Sequence, residues 1–284
     1  MNNIRILLRN FFLELKIIIR LKIRIGRSPD LNSRIKNQSM RIGSLAACNV
    51  FSYYIKNCEI LNEDIELKKF FKFYSCLWEK SSSQWSQDIF VLYVLGMKEE
   101  GIFLEIGGAD GYTHSNTLIL EKEFKWKGIL VEPEPTMFLY LKYARPNCKR
   151  INAAVTVQKD KRNFSRLKKA GQLSCLEEYQ ANDIHSKKRD KINEFRITKL
   201  VALEDLMKHD KFDYFSFDIE GGERKILESI NWELIRKPKV ITVEHNFRGE
   251  DKTEISNILK KNGYQIFFEE HSWLTKGDIW AVLK

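Results

Sequence analysis

Apolar positions along this chain follow two spacings in turn. From about residue 48 to 80, aromatic and Leu/Ile positions recur at helical intervals with charges between them, which predicts one or two helices. After the turn-like SSSQWS, the stretch QDIFVLYVLGMKEEG predicts a helix ending near Gly101. Seven short apolar runs follow: IFLEI (102–106), KGILVE (127–132), KRINAAV (149–155), FDYFSFD (212–218), VITVEH (240–245), YQIFFE (264–269) and DIWAVL (278–283). Runs that are apolar throughout predict strands covered on both faces, as in a parallel sheet. The first five are each followed by helix-like sequence or a loop, and that alternation predicts a doubly wound α/β fold, Rossmann-like in plan. Only residues 270–277 separate the last two runs. That is too short for a helical crossover, so these two should pair antiparallel. Residues 156–200 are charged and poor in apolar positions, and read as an insertion over the carboxyl edge of the sheet.

Charge divides the chain differently. Residues 1–45 hold ten Lys/Arg against Glu14 and Asp30, whereas the remainder carries 38 basic and 36 acidic residues. This predicts a basic arm and linker (1–45), a helical region (46–100) and a near-neutral body. The body lacks the spread of basic residues that nucleic-acid binding needs. Within the arm, residues 4–25 (IRILLRNFFLELKIIIRLKIRI) break their apolar clusters with single cations too often for a membrane span or a secretory h-region. A helix of this composition could lie on an anionic membrane surface, or pack on the body or on a second copy. With 43% hydrophobic and 30% charged residues, wholesale disorder is excluded. The five cysteines are scattered, with no C-x-x-C pair, which argues against a structural zinc site and fits a reducing, cytoplasmic setting.

Ligands of open α/β sheets bind beyond the carboxyl ends of the strands, and four predicted ends carry unusual residues. The first run enters Gly107-Gly108-Ala109-Asp110-Gly111, where glycines let the backbone turn sharply and aim the next helix's N–H groups at a ligand. The second ends in Glu132, a carboxylate able to accept hydrogen bonds from both hydroxyls of a ribose. The fourth ends in Asp218-Ile219-Glu220-Gly221-Gly222-Glu223. On an extended segment Asp218 and Glu220 would point the same way and repel, a conflict that a cation or substrate hydroxyls would relieve. Glu223 there suits a first helical turn electrostatically. The fifth closes with Val243-Glu244-His245-Asn246, and His245 is suited to proton exchange near neutral pH. The other histidines form no ligand spacing.

These residues resemble the FkbM family of class I S-adenosylmethionine-dependent methyltransferases. The resemblance rests on Ser86-Gln87-Asp88, FLEIGGADG with Ser115-Asn116-Thr117, WKGILVEPEP, Asn152-Ala153-Ala154 and FDYFSFDIEGGE, and covers about residues 86–284. It implies a methyltransferase domain over 101–284 with a mostly parallel seven-stranded sheet, helices on both faces and an antiparallel last strand. It implies that Glu105, Gly107 and Gly111, with Gly108 and Asp110, line the methionine part of the cofactor. Glu132 would hold the ribose, and Asn152 and Ala153 would lie near the adenine. Gly108-Ala109-Asp110 departs from the Ala-Asn of many relatives, which bears on cofactor affinity more than on reaction type. The implied reaction is O-methylation of a hydroxyl, often on a sugar of a glycan or glycosylated metabolite. Asp218 or His245 would take the proton and Glu220 would orient the acceptor; a divalent cation on Asp218 and Glu220 is another way to lower the hydroxyl pKa. Three rivals remain at this stage, one of them a nucleic-acid methylase, against which stand the lack of an N-P-P-Y-like motif and the small basic excess of the body. A nicotinamide-dependent oxidoreductase shares the glycine turn and the ribose acid but leaves the second acidic cluster without a role. A non-enzymatic protein docked by its basic arm would need none of the strand-end chemistry.

Overall fold

A computed structural model of the chain describes residues 64–157, 162–165, 175–176, 195–207, 211–275 and 277–284. The basic arm, its linker and much of the segment read as an insertion lie outside the described residues.

Two helices lead into the sheet. In α1 (Ile65–Leu77), Asp64 caps the first turn by accepting from the Leu67 amide at 2.9 Å. Leu67, Phe70, Phe71, Tyr74 and Leu77 form its buried stripe, each apolar side chain contributing about 1.5–3 kcal/mol relative to exposure. The next helix, α2 (Gln87–Val94), stops well before Gly101. Gly96 turns left-handed at φ +59°, and the Met97 amide bonds back to the Leu92 carbonyl at 2.8 Å. Such a glycine-terminated cap closes a helix whatever the sequence beyond it.

The main sheet contains β1 (Ile102–Ile106), β2 (Lys127–Val131), β3 (Lys149–Ile151), β9 (Tyr214–Phe217), β10 (Val240–Glu244), β11 (Tyr264–Phe267) and β12 (Asp278–Leu283), in the order β11-β12-β10-β9-β1-β2-β3. β12 runs antiparallel to both of its neighbours, and the other pairings are parallel. Each of the seven apolar runs therefore contributes a strand to one mostly parallel, Rossmann-like sheet with an antiparallel last strand. The connections include α3 (Leu118–Phe124), α4 (Pro135–Ala144), α5 (Leu203–Met207), α6 (Glu223–Ser229), α7 (Gly249–Lys261) and the short α8 (Ser272–Thr275). Helices cover both faces. One buried cluster joins α1, α2 and α3 to Phe103, Leu130, Tyr214, Val240 and Trp280, with Phe90 stacked on Trp280 at 4.7 Å between ring centroids. The other joins α5, α6 and α7 to Leu104, Ile106, Val131, Phe217 and Val243.

The third run differs from its prediction. KRINAAV is not one strand: β3 ends at Ile151, and β4 (Ala154–Thr156) leaves the sheet to pair in parallel with β8 (Leu200–Ala202). The break falls at Asn152, whose side chain donates to the Glu132 carbonyl at 2.8 Å and the Pro133 carbonyl at 3.2 Å, diverting the chain. The insertion is not wholly irregular either. β5 (Arg162–Ser165) pairs antiparallel with β6 (Cys175–Leu176) and with β7 (Phe195–Thr198). No helix among the described residues is long and apolar enough to cross a membrane.

Candidate active site

Strand register builds the site. Ile106 pairs with both Val131 and Phe217, and Phe217 pairs with Val243. One step further along these parallel strands stand Glu132, Gly107, Asp218 and Glu244, and Glu244 pairs with Asp278 across the antiparallel edge. Residues of one rung project to one face of a sheet. The carboxyl edge thus presents four acids in a single row, on the face covered by α1 and α2, with one glycine among them. That glycine is obligatory. Gly107 adopts φ +90°, and a Cβ there would lie 1.6 Å from the Asp218 carbonyl oxygen. The bare backbone lets the turn after β1 close onto the end of β9.

Burial sets the charge state of the row. Glu132 and Asp278 are each pushed up to about 8, chiefly by desolvation. Asp218 is raised by the same cause, and Glu244 well above its usual range by burial and by repulsion from Asp218, Glu220, Glu223 and Asp278. Asp218 and Glu244 interact directly through their carboxyl groups. Glu220 joins this pair: one carboxylate oxygen from each of Asp218, Glu220 and Glu244 lies within 4.8 Å of the others. The route differs from the extended segment predicted by sequence. Glu220 is left-handed at φ +63°, so a tight turn, not strand alternation, converges the two acids. Glu223 opens α6, in the first helical turn as predicted, and does more there. It is buried, accepts from the amides of Ile219 at 2.8 Å and Gly221 at 3.0 Å, and thereby folds that turn.

The loop between β1 and α3 is longer than the sharp strand-to-helix turn predicted. α3 begins only at Leu118, so no helix N-terminus directly follows the glycines. Asp110 shapes the loop by accepting from the amides of Tyr112 and Thr113 at 2.9 and 2.7 Å. Gly108 packs against Leu141, and Gly111, at φ +76°, against Arg145 and Leu141. Glu105 lies two residues before Gly107, and its carboxylate accepts from the Asn116 amide at 2.8 Å and from Thr117 Oγ1. Its charge is opposed by Arg145, 3.8 Å away and fully buried. Arg145 also donates to Glu121, to Ser115 Oγ at 2.9 Å and to Thr117 Oγ1 at 2.9 Å. Glu105 therefore holds the loop in place from beneath. On the other side Asp88 accepts from Ser81 Oγ at 2.7 Å and Ser83 Oγ at 2.8 Å, and Ser82 Oγ donates to the Ser115 carbonyl at 2.9 Å.

At the β2 end of the row, both oxygens of Glu132 are in use: the Ala109 amide donates to one at 2.9 Å and the Glu134 amide to the other at 2.7 Å. Asn152 sits behind this acid, and Ala153 is fully buried. At the opposite end His245 is buried. Its amide donates to the Gly277 carbonyl at 2.6 Å, and its ring centroid is 6.3 Å from that of Phe247. Glu132, Gly107, Asp218 and Glu220 thus come together at one edge, with His245 immediately after Glu244. Sequence reasoning passed over Glu244 as a partner of Asp218, and passed over Asp278, to which Gln87 Nε2 donates at 2.5 Å. It also missed Arg145. The strand-end position of Glu244 and Asp278 was the available signal, but only the strand order makes them neighbours.

Among solved structures, the chain is similar to the FkbM methyltransferase from Methylobacillus flagellatus KT, at 16% identity with a TM-score of 0.37, covering 59% of this chain and 39% of that one. It thus spans about two fifths of that protein's length. It is also similar to precorrin-6y C5,15-methyltransferase from Geobacter metallireducens GS-15, at 12% identity with a TM-score of 0.36, covering 63% and 72% of the two chains. A third is a TehB-like SAM-dependent methyltransferase from Corynebacterium glutamicum ATCC 13032, at 9% identity with a TM-score of 0.37, covering 76% and 97%. No curated protein sequence matches the chain. The family model for the methyltransferase FkbM domain matches residues 105–266, from the glutamate beneath the glycine turn to the penultimate strand in chain order. With more than half its length inside that match, and with the acid row and glycine turn lying within it apart from Asp278, this chain belongs to the FkbM methyltransferase family.

Proposed function

We propose that the protein transfers a methyl group from S-adenosylmethionine to a hydroxyl oxygen of a sugar, carried on a glycan or a glycosylated metabolite. The observation that supports this most is the single row of Glu132, Gly107, Asp218 and Glu244, which sets an acceptor for nucleoside hydroxyls beside a group of proton-accepting acids. The donor set suits the cofactor. Glu132 is a buried two-oxygen acceptor, oriented by two backbone amides, and each oxygen has a further lone pair for one ribose hydroxyl. The methionine portion is assigned to the loop of Gly107, Gly108 and Gly111, whose course Asp110 shapes. Asn152 and Ala153 flank the ribose acid on the side proposed for the adenine.

S-adenosylmethionine supplies a methyl group on a sulfonium centre, which leaves as a neutral thioether. The chain's own task is alignment and proton removal. A sugar hydroxyl is a poor nucleophile, so its proton must go to a base as the new oxygen–carbon bond forms and the sulfur–carbon bond breaks. Asp218 is placed to accept it, with Glu220 orienting the acceptor and His245 the neighbouring group able to carry the proton onward. The oxygens of Asp218, Glu220 and Glu244 also suit a hard divalent cation, which would neutralise the cluster and acidify a bound hydroxyl.

Mass spectrometry of cell-surface glycans from the producing cell, with and without the gene, tests the reading. Loss of one methylene mass from a defined sugar on deletion, restored by the wild-type gene and not by Asp218→Asn, is the expected result. Unchanged sugars together with a lost methyl on another class of molecule would overturn the choice of acceptor.

A further inference from the structure

Beyond β10 the chain does something costly. Asn246 and Phe247, neither of them glycine, both adopt left-handed backbone conformations, at φ +52° and +58°. Two such residues in succession store strain of the kind that persists where a side chain must be presented in a set direction. The result is an aromatic ring at the edge of the acid row. The ring of Phe247 lies against Gly277, where a Cβ would come within 3.2 Å of Phe247 Cε2, and Gly277 immediately precedes Asp278. Phe247 is nevertheless 53% exposed. Beside it, Asn246 is 2% exposed, and both amide atoms of its side chain lack a hydrogen-bond partner among the described residues. A buried amide left in this state is costly without a ligand to meet it.

We infer that the Asn246–Phe247 turn is the acceptor subsite, with Phe247 stacking on the C–H face of a pyranose ring and Asn246 hydrogen-bonding one of its hydroxyls. This rests on the methyl-transfer reading above and adds the residues that select the acceptor. A phenol could also stack on Phe247. However, a simple phenol brings one hydroxyl to a site where Glu244 Oε2 and both Asn246 amide atoms lack partners among the described residues, whereas a pyranose brings several. An exposed aromatic plane beside carboxylates and an amide offers an apolar surface and directional acceptors together.

The test uses the full chain saturated with S-adenosylhomocysteine. Saturation-transfer NMR is recorded with a panel of methyl glycopyranosides and with catechol, for wild type, Phe247→Ala and Phe247→Trp. At least one glycoside should bind wild type, with saturation concentrated on one C–H face. Phe247→Ala should weaken it about tenfold, Phe247→Trp should retain it, and affinity for S-adenosylhomocysteine should be the same in all three. Equal glycoside binding by wild type and Phe247→Ala would overturn the subsite while leaving a sugar acceptor standing. Binding of catechol and no glycoside, or of neither, would overturn the sugar acceptor and the subsite together.

Discussion

A methyl group on Gly107 would lie 1.6 Å from the carbonyl oxygen of Asp218. The turn proposed to face the cofactor and the strand end proposed to face the acceptor are therefore in backbone contact, and the separation of the two is fixed by the absence of one side chain. Gly107→Ala must either separate β1 from β9 at the carboxyl edge or distort a φ of +90°. It should lower the thermal midpoint by about 10 °C, a loss of a few kcal/mol, and remove methyl transfer. Differential scanning calorimetry and a radiolabelled methyl-transfer assay check both effects.

Six of the seven strands were legible in the sequence because each is largely apolar, whereas β3, Lys149–Ile151, was legible only as part of the longer run KRINAAV. The antiparallel last strand was legible because residues 270–277 cannot hold a crossover. KRINAAV misled because Asn152 breaks the strand through a side-chain bond to the backbone of the neighbouring strand end, which no local pattern reveals. Glu132, Gly107 and Asp218 could be picked out at strand ends one by one. Their partnership with Glu244 and Asp278 depends on the order β12-β10-β9-β1-β2, a property of topology rather than of spacing. Arg145 was invisible for a related reason: an arginine after a helix reads as surface until tertiary structure surrounds it with Glu105 and Glu121.

Arg145→Met should be among the most damaging substitutions outside the acid row. It leaves Glu105 buried without its cation and Glu121 with only Lys122 at 3.9 Å, and breaking a buried ion pair from one side costs about 3–5 kcal/mol. Urea unfolding should show this loss, and the double variant Arg145→Met with Glu121→Gln should recover part of it. An unchanged midpoint for the single variant would contradict the network.

Stability should fall as pH rises. Glu132, Glu223 and Asp278 have folded-state values of about 8, above the value near 4 expected of unfolded carboxyls. Between about pH 4 and 8 the folded protein therefore binds more protons than the unfolded chain, and each unit of pH lowers the free energy of unfolding. The thermal midpoint should drop from pH 5 to pH 8. Magnesium or manganese should raise it at pH 8 and have little effect at pH 5, where protons neutralise the acids. A midpoint that rises with pH would contradict the burial of these groups.

Asp278→Asn should act through position. Gln87 would keep a hydrogen-bond partner while the row loses one acid, so the pH dependence of stability should flatten without loss of fold. Thermal melts across the same pH range check this, and an undiminished slope would assign the dependence to the other acids.

The central claim is that one rung of the sheet divides its work, with Glu132 holding the nucleoside and Asp218 serving the acceptor. Calorimetric titration of S-adenosylhomocysteine into Glu132→Ala and Asp218→Asn, paired with methyl-transfer rates, tests it most directly. Glu132→Ala should weaken the nucleoside at least tenfold, a loss of about 1.4 kcal/mol. Asp218→Asn should bind within about twofold of wild type while losing most of its turnover. Nucleoside affinity untouched by Glu132→Ala, or lost equally in both variants, would contradict the division.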